Sequence, residues 1–426
     1  MRRSTFSHRL TATRRATLVT AIVLGIIGCG GLLDVSNPGA LQEGQLDDPA
    51  LEQFMINGVI AEFQFAYGSY ALWSGVLADE TFSDHSNIAF RDFALHSFDD
   101  GSVPDSNVYA SLQRARQAAD DAAERIKKMR GDKAASNLNE ARALIYGGYA
   151  YLLLGEGFCD APVNLSAPLS PSELLGRAIA RFAEGGAVAA AADANVTEAK
   201  DLRFLAAVGA ARASLKRGDL AKARTFAALV TDGYERWAYY SANSSREYNA
   251  FQLGVRSGLP FIGMQPAFQN LNDPRVPQPA APRPSLRSNP ILPPLKPYSF
   301  SGWSASAPAV IEVGTHIRFA SGLEARYIGI EVDGPGAAML AFVNTRRSIG
   351  GKPPVDVSGA ALMAEFRRQR ALDFYLTGQR LGDLRRYAAA GIDLFPVGKY
   401  PTLPESYGIM HCFIVPRSER ATNPNY

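Results

Sequence analysis

Cys29 stands where a thiol can be chemically modified during export. It follows a stretch with five arginines, an apolar run from Ala16 to Ile27 and the small residue Gly28. A basic region, an apolar region and a small residue in this order are typical of a secretory signal. The apolar run is about a dozen residues long, too short for a helix that crosses a hydrocarbon core ~30 Å thick. The pattern therefore predicts export, with Cys29 at the cleavage junction.

The four residues Ile26-Ile27-Gly28-Cys29 resemble a bacterial lipobox, in which a signal peptidase cuts before the cysteine and the thiol carries a diacylglycerol. The resemblance implies a cleaved lipoprotein signal peptide at 1–28, lipidation of Cys29 and a tether at 29–46. An ordinary cleaved signal with a chance cysteine is the alternative. Because Gly30 follows the anchor, and not an Asp that could retain a lipoprotein at the inner membrane, we expect the outer membrane. The lipid would be the only membrane contact.

Cys159 and Cys412 are the two remaining cysteines. An even number of thiols in an exported chain favours a disulfide, because exported compartments are oxidising. Two unrelated buried thiols are the alternative. We predict that the two cysteines pair.

Aromatic and acidic residues together predict a ligand surface. Tyr70 and Trp73 precede a polar loop predicted at 78–106, and Asp79 lies at its start. Aromatic faces beside Asp, Asn and Arg are typical of sugar binding, since C–H faces stack while hydroxyls need directional partners. Tyr298 and Trp303 supply further rings, and Trp303 is the best candidate because small residues flank it. Aromatic residues at helical spacing are also typical of a buried core.

The chain lacks the usual catalytic and metal-binding motifs. His85, His96, His316 and His411 are scattered without metal-ligand spacing, and no nucleophile elbow, phosphate loop or dinucleotide fingerprint occurs. We therefore expect no catalytic residues, metal or cofactor. Six acidic residues could bind Ca²⁺ in principle, but they fit no EF-hand spacing, so we expect a solvated acidic loop. They are Asp79, Glu80, Asp84, Asp99, Asp100 and Asp105.

Composition indicates a packed globular protein that does not bind nucleic acid. The chain is 47% hydrophobic and 20% charged. Its formal net charge is +3, and the segment 1–28 holds five Arg and no Asp or Glu, so the remainder carries −2. No basic block remains in it for a nucleic acid to contact.

The elements that position these residues are predicted to be mainly helices. Helical patterns cover 108–129 and 137–154, and the pair 200–216 and 220–230 is separated only by Arg217-Gly218-Asp219. That pair resembles a tetratricopeptide unit, in which small residues let antiparallel helices approach closely. They are Ala211, Ala223 and Ala227. No strict 34-residue period exists, so a regular solenoid is not predicted.

A proline-rich region interrupts the helical pattern. Between Pro260 and Pro308 lie twelve of the 26 prolines, a density that excludes continuous helices. A disordered linker between two domains is one interpretation. The interspersed aromatic residues favour another, an ordered loop-rich subregion at 241–310 within a single domain at 47–426.

Five motifs follow one another along the chain. They are Glu140-Ala141-Arg142 running to Asp160-Ala161-Pro162, Asn272-Asp273-Pro274-Arg275, Asn344 with Arg347 before Gly350, Gly378 with Arg380 and Asp383, and Pro416 with Glu419 and Asn423-Pro424-Asn425. Their order resembles that of SusD/RagB proteins, the nutrient-binding outer-membrane lipoproteins. Cys159 departs from the family pattern, which has Gly there, and so does Thr377, which replaces Glu. Arg380 and Asp383 stand one helical turn apart and could pair.

The resemblance implies a mainly α, SusD-like fold with tetratricopeptide-like helix pairs and a loop-rich region. It also implies a cell-surface lid that captures an oligosaccharide or another nutrient and passes it to a SusC-like TonB-dependent transporter without chemistry. The alternative is a lipid-anchored tetratricopeptide scaffold for envelope protein assembly. A surface glycoside hydrolase is disfavoured by the missing motifs.

Overall fold

The computed structural model describes residues 47–83, 87–252, 262–277, 311 and 313–426. The predicted signal peptide, Cys29, Asp84, His85, Tyr298 and Trp303 lie outside these residues. No helix in the described ranges is long and apolar enough to span a membrane.

Helices dominate the described residues, and they follow one another with short connections. They are α1 Glu52–Leu77, α2 Ile88–Ala94, α3 Val103–Arg130, α4 Leu138–Gly157, α5 Pro171–Ala191, α6 Thr197–Arg217, α7 Leu220–Ala227, α8 Gly322–Asp333, α9 Ala337–Ile349, α10 Gly359–Asp373, α11 Arg380–Ala389 and α12 Arg417–Thr422. The predicted mainly α fold is confirmed.

Local signals set several helix ends. Ser170 caps α5, because its Oγ accepts from the backbone N–H of Glu173 while the Glu173 carboxylate accepts from the N–H of Ser170 at 2.8 Å. Gly218 ends α6 with a φ of 81°, a left-handed conformation that favours glycine. Asp219 then caps α7 by accepting from the N–H of Lys222 at 3.1 Å.

The helices α3 to α7 pack in sequence order, each against the next. Close approach depends on small residues. A Cβ at Gly148 of α4 would lie 2.8 Å from the Phe182 ring of α5, and Gly209 of α6 faces the same ring. Ala211 and Ala223 are fully buried between α6 and α7. The helix pairing predicted from the small residues is therefore present.

Two short antiparallel sheets join distant parts of the chain. Strand β1 (Thr81–Ser83) pairs with β3 (Ile262–Met264), with Thr81 opposite Met264. Strand β2 (Glu235–Ala238) pairs with β4 (Ile317–Ser321), with an irregularity between Arg236 and Trp237. The first sheet holds the start of the loop-rich region against the segment that follows α1.

Aromatic rings fill the core between α1, α4 and β4. Phe319 of β4 packs within 5.1 to 6.2 Å, centroid to centroid, of Phe63, Tyr67, Tyr146 and Tyr149. A smaller apolar cluster forms around the buried Tyr327, between α8, α9 and α10. The first cluster packs β4 on α1 and α4, and the second packs α8, α9 and α10 on one another.

Cys159 and Cys412 form a disulfide, as predicted, with their Cα atoms 5.3 Å apart and their positions 253 residues apart in sequence. The neighbouring Phe158 and Phe413 form a parallel bridge, and the Cys159 N–H donates to the Phe413 carbonyl at 3.0 Å. The end of α4 is thus tied to the C-terminal segment by covalent and hydrogen bonds together.

Candidate functional site

A cavity of about 480 Å³ opens beside α1, and we call it the aromatic cavity. Three helices and the segment after β2 supply its walls. Its lining residues are Phe65, Ser69, Leu72 and Trp73 of α1, Phe90 of α2, Asn107, Ala110 and Arg114 of α3, and Ser245, Tyr248, Ala250 and Gln252. This volume lies within the range of small-ligand cavities.

The apolar wall consists mainly of stacked rings. Trp73 and Phe90 stack with their centroids 5.3 Å apart, and Phe93 meets the indole edge-on at 5.7 Å. Trp73 is only 6% exposed, so its indole forms a fixed wall of the cavity and not a protruding platform. Such rigid rings bind the C–H face of another ring without losing side-chain freedom.

The polar side of the cavity comes from α3. Asn107 and Arg114 are two helical turns apart and share one face of the helix with Ala110. The Arg114 side chain is 54% exposed, and its Nε lies 3.8 Å from Glu62, which is an ion pair without a hydrogen bond. No residue that the structure describes accepts a hydrogen bond from this guanidinium, so its donors are available to a ligand. Ser69, Ser245 and Gln252 add further polar groups.

Of the two predicted ligand-binding residues on α1, Trp73 and Tyr70, only Trp73 lies at the cavity. Trp73 lines the aromatic cavity, whereas Tyr70 is fully buried with its ring 5.8 Å from that of Phe413. Burial raises the pKa of the Tyr70 hydroxyl well above its ordinary value. Tyr70 therefore contributes to the core, the interpretation left open by its helical spacing.

Asp79 is engaged by an arginine of a distant helix. Its two carboxylate oxygens accept from Arg380 Nε and Nη2 at 2.7 and 2.8 Å. The possible pairing of Arg380 with Asp383 is wrong, because Asp383 instead binds Arg370 at 2.7 Å and Lys216 at 2.5 Å. Asp79 thus supplies the counter-charge of Arg380.

The expected solvated acidic loop is wrong for two of its members. Glu80 and Asp105 are buried, and burial raises the pKa of each carboxyl to about 8. Asp99 and Asp100 pair with the exposed Arg417. The described residues contain no group of three or more His, Cys, Asp or Glu side chains that could hold a metal ion.

Sequence reasoning missed most of the aromatic cavity. Phe65, Ser69 and Trp73 recur at a spacing of four residues, which places them on one face of α1. The spacing of Asn107 and Arg114 gave the same kind of signal for α3. No sequence signal marked Tyr248, because contacts between distant segments, and not local periodicity, bring it to the cavity.

No protein-family model matches this chain, and no curated protein sequence matches it. Solved structures do match it. Surface glycan-binding protein A from Bacteroides thetaiotaomicron, solved with laminarihexaose, superposes with a TM-score of 0.66 at 12% identity, over 88% of this chain and 98% of that one.

Two further matches agree. A SusD-like carbohydrate binding protein from Bacteroides vulgatus gives a TM-score of 0.62 at 15% identity, over 88% of this chain and 96% of that one. A SusD superfamily protein from Bacteroides fragilis gives 0.64 at 11% identity, over 89% and 98%. At these identities the likeness concerns the fold alone. This chain shares its fold with these SusD-like structures.

Proposed function

We propose that this protein captures an oligosaccharide in the aromatic cavity and performs no chemistry on it. One observation carries the proposal: rigid aromatic rings and polar side chains line the same cavity of about 480 Å³. A fold shared with a protein solved with a bound hexasaccharide supports it.

The physical argument rests on the two surfaces of a sugar. The C–H face of a pyranose packs on an aromatic ring, here Trp73 and Phe90, while its hydroxyls need donors and acceptors at the ring edge. Asn107 offers both, and Arg114 offers donors only. Tyr298 and Trp303 lie outside the described residues and stay candidates from the sequence alone.

The sequence supports a role for the captured oligosaccharide as cargo of an outer-membrane transporter. A lipid on Cys29 would hold the protein at the outer surface of the outer membrane. From there the protein would deliver its ligand, as a lid, to a SusC-like TonB-dependent transporter. A pull-down from outer membranes with wild-type protein tests this step. We expect a TonB-dependent barrel in the eluate, and recovery of envelope assembly factors instead would favour the scaffold alternative.

Exchange of Arg114 tests the capture site. Arg114→Gln removes a partly free cation from the cavity, so we expect affinity for a bound oligosaccharide to fall about fivefold, the value of one hydrogen bond of about 1 kcal/mol. The measurement is isothermal titration calorimetry with a glycan panel.

Arg224→Gln is the matched control. Arg224 is also an exposed arginine with one carboxylate partner, Asp333 at 2.6 Å, but it lies on α7 and does not line the aromatic cavity. Equal affinities of the two variants, for every glycan that wild type binds, would place the site elsewhere.

A further inference from the structure

A second cavity of about 480 Å³ lies next to the first, and we call it the arginine cavity. Residues 248–252 separate the two. Tyr248, Ala250 and Gln252 line the aromatic cavity, whereas Asn249 and Phe251 line the arginine cavity. Alternate side chains of one segment thus serve two different sites.

One wall of the arginine cavity is apolar. Trp237 of β2, Ile317 of β4, Phe251 and Tyr375 line it, and the last three are buried in the fold. The Arg318 guanidinium lies over the Trp237 ring, 6.0 Å from its centroid. A flat apolar surface therefore adjoins a cation.

Among the described residues of the lining, three arginines and one aspartate carry charge. The aspartate, Asp373, is already fully used. Its Oδ1 accepts from Arg275 Nη1 at 3.2 Å, and its Oδ2 accepts from Arg346 Nε at 2.8 Å and from the Tyr327 hydroxyl. Its side chain is 1% exposed. Arg275 is also fully paired, because its Nε and Nη2 donate to the buried Asp273 at 2.9 and 2.7 Å. Arg318 and Arg346 are therefore the cations of the lining that keep donors for a ligand.

Two guanidinium nitrogens of the lining remain unused within the described part of the chain. Arg346 Nη1 and Arg318 Nε have no partner among the residues that the structure describes. Arg318 donates through Nη1 to Glu235 at 2.7 Å and through Nη2 to the Asp373 carbonyl at 3.2 Å. The Glu235 side chain is 44% exposed, so water screens this ion pair and only weakly offsets the charge of Arg318.

His316 adds a neutral donor to the lining. The Tyr240 N–H donates to His316 Nδ1 at 3.1 Å. An Nδ1 that accepts a hydrogen bond assigns the proton to Nε2, which therefore donates. His316 thus adds to the excess of donors over acceptors.

We propose that the arginine cavity binds the carboxylate of an acidic sugar unit, a uronic acid, whose ring packs on Trp237. This inference rests on the proposed capture of an oligosaccharide and names the class of that oligosaccharide. Guanidinium groups pair with carboxylates through short charge-assisted hydrogen bonds. A neutral sugar offers no acceptor of equal strength, so the excess of donors selects for the acid.

Matched pairs of tetrasaccharides test the proposal. Each pair has one uronate and one neutral member, built on galactose, glucose or mannose rings, and binding is measured by calorimetry. We expect wild type to bind the uronate of at least one pair about fivefold or more tightly than its neutral partner, with the preference shrinking as salt rises.

Arg318→Gln should remove that preference while the affinity for the neutral member stays, which also shows that the variant is folded. Arg326→Gln is the matched control. Arg326 likewise pairs with one exposed carboxylate, Asp232 at 3.2 Å, and lies over an aromatic ring, Phe342, but it lines neither cavity. It should keep the preference.

Two results would overturn this inference and leave the proposed function intact. In the first, neutral glycans bind and no pair shows a preference for the uronate. In the second, the preference for the uronate persists in Arg318→Gln. Absence of binding to every tetrasaccharide would contradict the proposed function as well.

Discussion

Charged residues occur in two contrasting regions of this protein. At its centre, Glu156 and Arg212 form a buried ion pair, with Arg212 Nε donating to Glu156 Oε1 at 2.8 Å. Beside them Arg370 and Lys216 bind the buried Asp383. In the aromatic cavity, Arg114 is half exposed and makes no hydrogen bond to its carboxylate neighbour. A charged group indicates ligand binding here only where its donors are not already used.

The central ion pairs join helices that are far apart in sequence. Glu156 ends α4, Arg212 and Lys216 belong to α6, Arg370 to α10 and Asp383 to α11. Burial alone would raise the pKa of Asp383, but the charges of Arg370 and Lys216 outweigh it and hold the pKa well below its ordinary value. These residues therefore stabilise the packing of the C-terminal helices on the helix pairs.

The largest effect is expected from breaking this central group. Asp383→Asn keeps the shape of the side chain but removes the carboxylate that binds two buried cations, of which only Lys216 keeps a second ion pair among the described residues, with Glu156 at 3.8 Å. The free energy of unfolding should therefore fall by about 3–5 kcal/mol. Urea denaturation measures it. Asp333→Asn, which breaks the exposed pair with Arg224, should cost less than about 1 kcal/mol. Similar losses of unfolding free energy in the two variants would contradict the difference between buried and exposed ion pairs.

An effect of intermediate size is expected in the pH dependence of stability, and Asp105 causes it. Burial raises the pKa of Asp105 to about 8, although the Ile414 N–H donates to its Oδ1 at 3.2 Å. A carboxyl whose pKa is raised by folding stabilises fully below its unfolded pKa of about 4, and that stability is lost as the pH rises towards 8.

The comparison variant for this titration is Asp105→Asn. The free energy of unfolding of wild type minus that of the variant should fall by about 1 kcal/mol per pH unit between pH 5 and 8. The asparagine keeps the acceptor for Ile414. A difference that stays constant or rises over this range would show that Asp105 is ionised in the folded protein.

The smallest effect on stability is expected in the aromatic cavity. Arg114→Gln should change the free energy of unfolding by less than about 0.5 kcal/mol, as is usual for exposed positions. Thermal and urea unfolding of the same preparation used for binding provide the measurement. A loss of several kcal/mol would assign Arg114 to the fold and separate it from ligand capture.

The parts of the fold that local signals determine could be predicted. Ser170 with Glu173 marks the start of α5, and Gly218 with Asp219 marks the turn between α6 and α7. The two thiols could also be paired, because only one pairing was possible once Cys29 was assigned to lipid.

Contacts between distant segments could not be predicted in the same way. Asp79 and Arg380 are 301 residues apart, so nothing local showed that Asp79 was already occupied. Burial of Asp105 likewise depends on the C-terminal segment at Ile414. Acidic residues in a polar loop resemble ligand-binding residues until the fold supplies their partners. The aromatic cavity could be predicted only in part. Its residues on α1 and α3 recur at helical spacing, whereas the segment that contains Tyr248 shows no such pattern.

The most direct test of ligand capture is a crystal structure of the protein with the oligosaccharide that binds best in the panel. The account predicts a sugar ring in the aromatic cavity, packed against Trp73 or Phe90, with hydroxyls in hydrogen-bond reach of Asn107 and Arg114. An oligosaccharide bound elsewhere, with the aromatic cavity empty, would contradict it.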